Sequence, residues 1–237
     1  MLGRFLEISV HAPDVLESLA FYERLGFVQA PVGETWEHPY AVVTDGRAFI
    51  GLHRYEFASP SLTFVQPDLM RRLDDIEALG IELDFRRVGT DVFNEAGFTD
   101  PNGQMIAMLE ARTFSPPQLA DSRDTPLGWF EEFGLPVRDL DQSREFWERL
   151  GFVAVEETDE PWPRIGLTSD SLDVSLLGTT HLERPVLVFT DEDMGSRIGR
   201  LRDAGLPFSR ALPRTLDPEG SAMLVAPEGT LLLLTTG

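Results

Sequence analysis

The sequence predicts an α+β fold built from two tandem copies of one domain, each copy a curved mixed sheet of two βαβββ modules around a cavity. Three observations carry this. The string Phe21-Tyr22-Glu23-Arg24-Leu25-Gly26-Phe27 returns as Phe146-Trp147-Glu148-Arg149-Leu150-Gly151-Phe152, an offset of 125 residues. That offset continues through Glu7/Glu132, Asp14/Asp139, Ser18/Ser143, Asp45/Asp170, Phe64/Phe189 and Gly80/Gly205, and resumes after one inserted residue at Pro101/Pro227 and Gly103/Gly229. Within each copy a helical segment ending in glycine occurs twice, at Gly26 and Gly80 and again at Gly151 and Gly205.

The elements follow in order. Phe5 to Val10 alternates as a strand and leads into a helix whose start is marked by Asp14 with Glu17, repeated as Asp139 with Gln142. In both, a side-chain oxygen can accept the orphan N–H groups of the first turn. Gly26 and Gly151 can take the left-handed conformation that ends the helix. Strands are expected at Tyr40–Thr44, Ala48–His53, Leu62–Val65 and Met105–Glu110, with a second helix from about Leu69 to Leu79. The stretch around Ser115-Pro116-Pro117 has linker composition, which divides the chain into residues 1–112, a linker 113–127 and residues 128–237.

Composition removes several classes of chemistry. The 237 residues contain no cysteine, so disulfides, thiolate nucleophiles and zinc–thiolate sites are excluded. All 20 basic residues are arginine, so there is no lysine for Schiff-base chemistry. A net charge of −20 repels nucleic acid and anionic membranes; it reads either as solubility or as steering of a cationic ligand. No secretion signal or membrane-length apolar run is present, so a cytoplasmic protein is expected.

The motif Asp-x-x-x-Ser-x-x-Phe-Tyr/Trp-x-x-Leu-Gly-Phe, with Asp100-Pro101-Asn102-Gly103 before the last strand of the first copy, resembles the vicinal oxygen chelate superfamily. That superfamily includes glyoxalases, extradiol dioxygenases and bleomycin-resistance proteins. The resemblance implies a divalent metal held by inward-facing side chains in the enzymes, and metal-free drug binding in the bleomycin-resistance branch. It places the first ligand at Glu7 and Glu132, the fourth-strand ligand at Gly51 and Leu176, the ligand opening the second module at Ser61 and Val186, and the final glutamate at Ala107 and Leu233. Only the two glutamates suit a metal, so neither a metal site nor another cofactor is expected.

Strand alternation points Phe5, Glu7 and Ser9 into the first cavity and Phe130, Glu132 and Gly134 into the second. His53 lies in step with Gly51, and His11 in step with Glu7. Glu7, His53 and His11 are therefore candidate acid–base residues, against the plainer reading that the histidines bond locally at strand ends. Trp36, Tyr40, Phe49 and Trp162 are aromatic candidates for a pocket wall, or else core residues. The leading expectation is a small-molecule-binding protein without a metal, resembling the bleomycin-resistance branch, its ligand anchored by Glu7 and Glu132 and its two halves packed as an intramolecular pseudo-dimer in a monomer or homodimer. The alternative is a glyoxalase-, isomerase- or dioxygenase-type enzyme using Glu7, His53 and His11.

Overall fold

The computed structural model describes residues 1–31, 38–111, 124–210 and 212–237. The first half runs β1 (Arg4–His11), α1 (Val15–Arg24), β2 (Val28–Gln29), β3 (Tyr40–Thr44), β4 (Phe49–His53), β5 (Ser61–Gln66), α2 (Leu69–Ala78), β6 (Phe85–Arg87), β7 (Glu95–Thr99) and β8 (Met105–Glu110). The second runs β9 (Trp129–Pro136), α3 (Leu140–Arg149), β10 (Val153–Thr158), β11 (Arg164–Thr168), β12 (Asp173–Leu177), β13 (Val186–Thr190), α4 (Met194–Asp203), β14 (Ala222–Val225) and β15 (Leu231–Thr235). Among the described residues no helix is long and apolar enough to cross a membrane.

The helix starts follow the expected chemistry. Asp14 accepts from the N–H groups of Leu16 and Glu17, and Asp139 from that of Gln142. Gly26 and Gly151 close the helices at φ of 88° and 100°, where any other residue would be strained.

Each half makes one mixed sheet. The strand order is β2-β3-β4-β1-β5-β8-β7-β6 in the first and β10-β11-β12-β9-β13-β15-β14 in the second. The two modules of a half meet at the antiparallel pairs β1–β5 and β9–β13, which places the first strand of the half at the centre of its sheet.

Two departures from the expected repeat matter. A βαβββ unit does not occur four times, because only a bridge between Phe208 and Leu224 stands where the second half would carry a counterpart of β6. The 125-residue offset also slips to 124 across β3–β4 and β11–β12. Ser9 pairs with Gly51, and its counterpart Gly134 pairs with Ser175. The equivalent of Gly51 is therefore Ser175. Leu176 lies on the opposite face, fully buried in the core.

A single apolar core fills the space between the helix-bearing faces and joins the halves. Phe27 meets Phe189 edge-on, with ring centroids 6.4 Å apart, and Phe98 meets Phe146 at 6.3 Å. The end of the expected linker takes part, since Leu127 is fully buried in this core; residues 112–123 lie outside the described ones. The turns before the last strands dock across the boundary. Glu228 accepts from Ser18 Oγ at 2.7 Å and Tyr22 Oη at 2.8 Å, while Asn102 Nδ2 donates to Ser143 Oγ at 2.9 Å. Burial and then the adjacent Glu228 carboxylate push the Tyr22 phenol well above its ordinary pKa, so it stays protonated as a donor.

Replacing Glu228 by Ala would remove the acceptor of both buried hydroxyls, leaving Tyr22 only its contact with Thr230, and a loss of about 1–3 kcal/mol is expected. Urea denaturation checks this. Tyr22→Phe, which removes only one of the two bonds, should lose less.

Candidate functional site

The central strand of each half carries its inward glutamate past a β-bulge. On β1 the register shifts between Phe5, opposite Phe64, and Glu7, opposite Thr63. The extra residue interrupts the alternation, so Phe5 and Glu7 point to opposite faces. Phe5 packs edge-on against Phe64 at 5.4 Å beside the core. The same irregularity on β9 sets Phe130 opposite Phe189, with rings 5.5 Å apart, and Glu132 opposite Val188. The expectation that Phe5 and Phe130 face the cavities is thus corrected by the bulges.

In the first half Glu7 is only 2% exposed and sits in a chain of hydrogen bonds. Its Oε1 accepts from Ser9 Oγ at 2.8 Å and from His53 Nε2 at 2.7 Å. With the Ser9 hydrogen committed to Glu7, Thr63 donates to Ser9 Oγ at 2.7 Å. With the His53 Nε2 hydrogen likewise committed, His53 Nδ1 accepts from His38 Nε2 at 3.1 Å. The wire thus runs Thr63–Ser9–Glu7–His53–His38, with Glu7 as acceptor from both sides. Burial, and next the neighbouring His53, hold the His38 imidazole below its ordinary pKa.

Aromatic rings surround the two histidines. The Tyr40 ring lies 4.9 Å from His53, and Phe57 meets His53 edge-on at 5.8 Å. Tyr55, largely exposed, stacks on Phe57 at 6.3 Å and lies 5.6 Å from His38. Phe49 is half-buried, opposite Thr44 and in step with Gly51 on the inward face. His11 pairs with His53 in the parallel ladder, but its imidazole makes no hydrogen bond to the Glu7–His53 pair. Trp36 lies outside the described residues.

The donor set does not fit the metal that the fold implies. A Cβ added at Gly51 would land on the Glu7 carboxylate, which lies across the place a fourth-strand ligand would occupy. The remaining inherited positions offer the Ser61 hydroxyl, buried without a hydrogen-bond partner, and the Ala107 methyl group. Among the described residues no group of three or more His, Asp or Glu side chains is placed to hold a metal ion.

The second half has a different interior. Glu132 is clamped by Arg164, the first residue of β11, through Nε at 3.0 Å and Nη2 at 2.6 Å. Arg164 also reaches Glu156 at 2.9 Å. Burial alone would lower the Arg164 pKa, but the hydrogen bonds and charges of Glu132 and Glu156 outweigh it and hold the guanidinium charged. The rest of the inward face is a dry cluster in which Trp162, Leu182 and Leu216 cover Val186, Val188, Met223 and Leu233. Trp162 is therefore a packing residue. Trp162 and the paired Glu132 are both buried, each 7% exposed, where the sequence reading expected them to line a cavity.

Structure thus joins Glu7, His53 and Tyr40, adds His38, Thr63, Tyr55 and Phe57, and separates off Phe5, Phe130, Glu132 and Trp162. Arg164 was legible in principle, since it stands in step with Gly166 on the same strand face as Glu132. His38 precedes β3 and carries no periodic signal.

The comparisons agree with this architecture. The family model described as "Glyoxalase/Bleomycin resistance protein/Dioxygenase superfamily" matches residues 129–233. The match covers most of the second half, and the first half repeats its motif and its strand order around the central strand. No curated protein matches in sequence. Among solved structures, an E323L mutant of homoprotocatechuate 2,3-dioxygenase from Brevibacterium fuscum is 16% identical over 100% of this chain and 72% of its own, with a TM-score of 0.62. The 2,3-dioxygenase LapB from Pseudomonas sp. KL28 is 15% identical over 100% and 94%, at 0.61. Homoprotocatechuate 2,3-dioxygenase from Arthrobacter globiformis is 15% identical over 100% and 80%, at 0.62. At these identities the likeness establishes the fold.

Gly51→Ala should force the Glu7 carboxylate off its partners and lower stability by about 1–3 kcal/mol, the range for an overpacked buried site. Thermal unfolding of the variant beside the wild type would show it. A second expectation concerns pH. Because the folded-state pKa of His38 lies below its unfolded value, the folded chain takes up a proton there less readily. Its contribution to stability is full above about pH 6.5 and is lost as pH falls below that. Urea midpoints at pH 7.5 and 5.5 should therefore separate more in the wild type than in His38→Gln.

Proposed function

We propose that the protein binds a small molecule through its first half only, without the metal ion used by enzymes of the superfamily. The observation that carries this reading is the Glu7 carboxylate. It lies over Gly51, committed to Ser9 and His53, where a metal site would need it turned towards further ligands. Tyr40, Phe49, Tyr55 and Phe57 offer flat apolar surface near this group, which suits a ligand with a planar or cationic portion. The net charge of −20 favours the cationic case. Glu132, already neutralised by Arg164, acts in folding and not in binding, so the two-anchor expectation narrows to one.

A second reading is favoured by the hydrogen-bonded wire itself. Glu7 orients His53, and His53 orients His38, whose lowered pKa leaves it neutral and able to take a proton at neutral pH. An isomerase- or glyoxalase-type proton transfer would then use Glu7, His53 and His38, with His11 at most a neighbour.

Metal analysis of protein purified without chelator, paired with a thermal-shift screen of cationic antibiotics and planar amines, tests the leading reading. The expected result is substoichiometric metal and a ligand that, at about 100 times its Kd, stabilises the fold by about 2.7 kcal/mol. That shift should shrink in Glu7→Gln and persist in Glu132→Gln. Stoichiometric metal lost on Glu7→Gln would overturn it. Ligand turnover abolished in His38→Gln would favour the second reading.

A further inference from the structure

The strand registers allow the row of residues that crosses each sheet from its inward glutamate to be compared position by position. In the second half Glu132 lies opposite Val188, Val188 beside Leu233, and Leu233 opposite Met223. All three apolar residues are buried in the dry cluster. In the first half the same row reads Glu7, Thr63, Ala107 and Gly97. Each apolar filler is exchanged for a smaller or a more polar side chain.

The space this opens stays accessible. Ala107 and Met105, which share the inward face of β8, are both partly exposed although β8 is an interior strand of its sheet. At the far end of the row Phe85 on β6 stands opposite Gly97, and a Cβ added at Gly97 would land on the Phe85 ring. The ring therefore lies over the glycine backbone. It takes no part in the apolar core and is 39% exposed. Ser61 lies on the same face of β5 as Thr63, where the second half has Val186. It is 2% exposed, and its hydroxyl has no hydrogen-bond partner. A buried hydroxyl is costly until it is bonded, so this one favours a polar atom brought in from outside.

We propose that the trough from Glu7 to Phe85 binds an elongated molecule whose flat apolar ring system lies over Ala107 and Gly97 against Phe85, with its polar or cationic head at Glu7, His53 and Tyr40. The head rests on the function proposed above; the tail is new and sets the class of ligand. Its rings take the place that the Leu233 and Met223 side chains fill in the second half. They stack on the open side of Phe85, and the flexible Met105 thioether adapts to their edge. Gly97 stands three strand spacings from Glu7, about 14 Å, so the trough selects molecules of two or more linked rings over single-ring amines. Phe85 is thus a specificity residue on a strand that the second half lacks.

Titration calorimetry of the full chain with benzylamine, 4-phenylbenzylamine and 4-cyclohexylbenzylamine tests this, since the three carry one ring, two flat rings and a second ring that is not flat. The Kd of 4-phenylbenzylamine is expected to be lower than that of benzylamine by about tenfold or more, the worth of burying one further aromatic ring, with a smaller gain for the cyclohexyl compound. Two variants probe the tail: Phe85→Ala removes the wall, and Ala107→Leu restores the side chain of the second half. In each, the ratio of the two Kd values should fall towards one. A gain that survives both variants, equal affinity for benzylamine and 4-phenylbenzylamine, or an equal gain from the cyclohexyl compound would each overturn the tail and leave the first-half reading standing. A gain lost in both variants, with binding indifferent to Glu7→Gln, would keep the tail and overturn the head. No binding of any of the three amines would overturn both.

Discussion

Carrying a carboxylate inward on the central strand of a sheet costs several kcal/mol of lost hydration unless a partner answers it. Both halves inherit that constraint at Glu7 and Glu132, and they meet it with different residues. The second half uses the arginine that opens β11, giving a two-pronged ion pair, and then closes the remaining space with apolar side chains. The first half uses a histidine at the end of β4, which gives Glu7 one hydrogen bond where the second half has a two-pronged ion pair. Most of the contrast between the two interiors follows from that choice of partner.

The repeat, the helix caps and the boundaries of most strands could be read directly, because each depends on a few local residues: Asp14 and Asp139 for the helix starts, Gly26 and Gly151 for the ends. The bulges on β1 and β9 could not. A bulge is a property of the ladder between two strands, and nothing in Phe5-Leu6-Glu7 or Phe130-Glu131-Glu132 distinguishes it from plain alternation. Its consequence was large, since it moved two phenylalanines from the supposed cavity into the core. The one-residue slip across β11 and β12 was hidden for a similar reason: matching aspartates in the flanking turn disguised a shortened connection.

For the site, alternation along β4 found Gly51 and His53, and a carboxylate buried on a central strand requires a partner. The partner of Glu132 and the addition of His38 depended on tertiary geometry. Arg164 and His38 sit at or just before the first residue of a strand, where periodicity is weakest, and the two come from corresponding regions of the halves yet do different work. Trp162 misled because an aromatic residue in a loop reads equally as a binding surface or as a lid over a core. Its burial against Leu177, Leu182, Val186, Val188 and Leu233 decides for the lid.

The exchange of turns across the boundary has a consequence for how the two halves can diverge. Because Glu228 satisfies hydroxyls on α1 and Asn102 satisfies one on α3, each half completes the other's helix, and neither can be discarded once its own interior has lost a use. One core shared by both halves spreads the stability of the chain over the pair, which leaves room for polar groups such as Glu7, Ser9, Thr63 and His53 in an interior that a lone domain of this size would be pressed to fill with hydrocarbon.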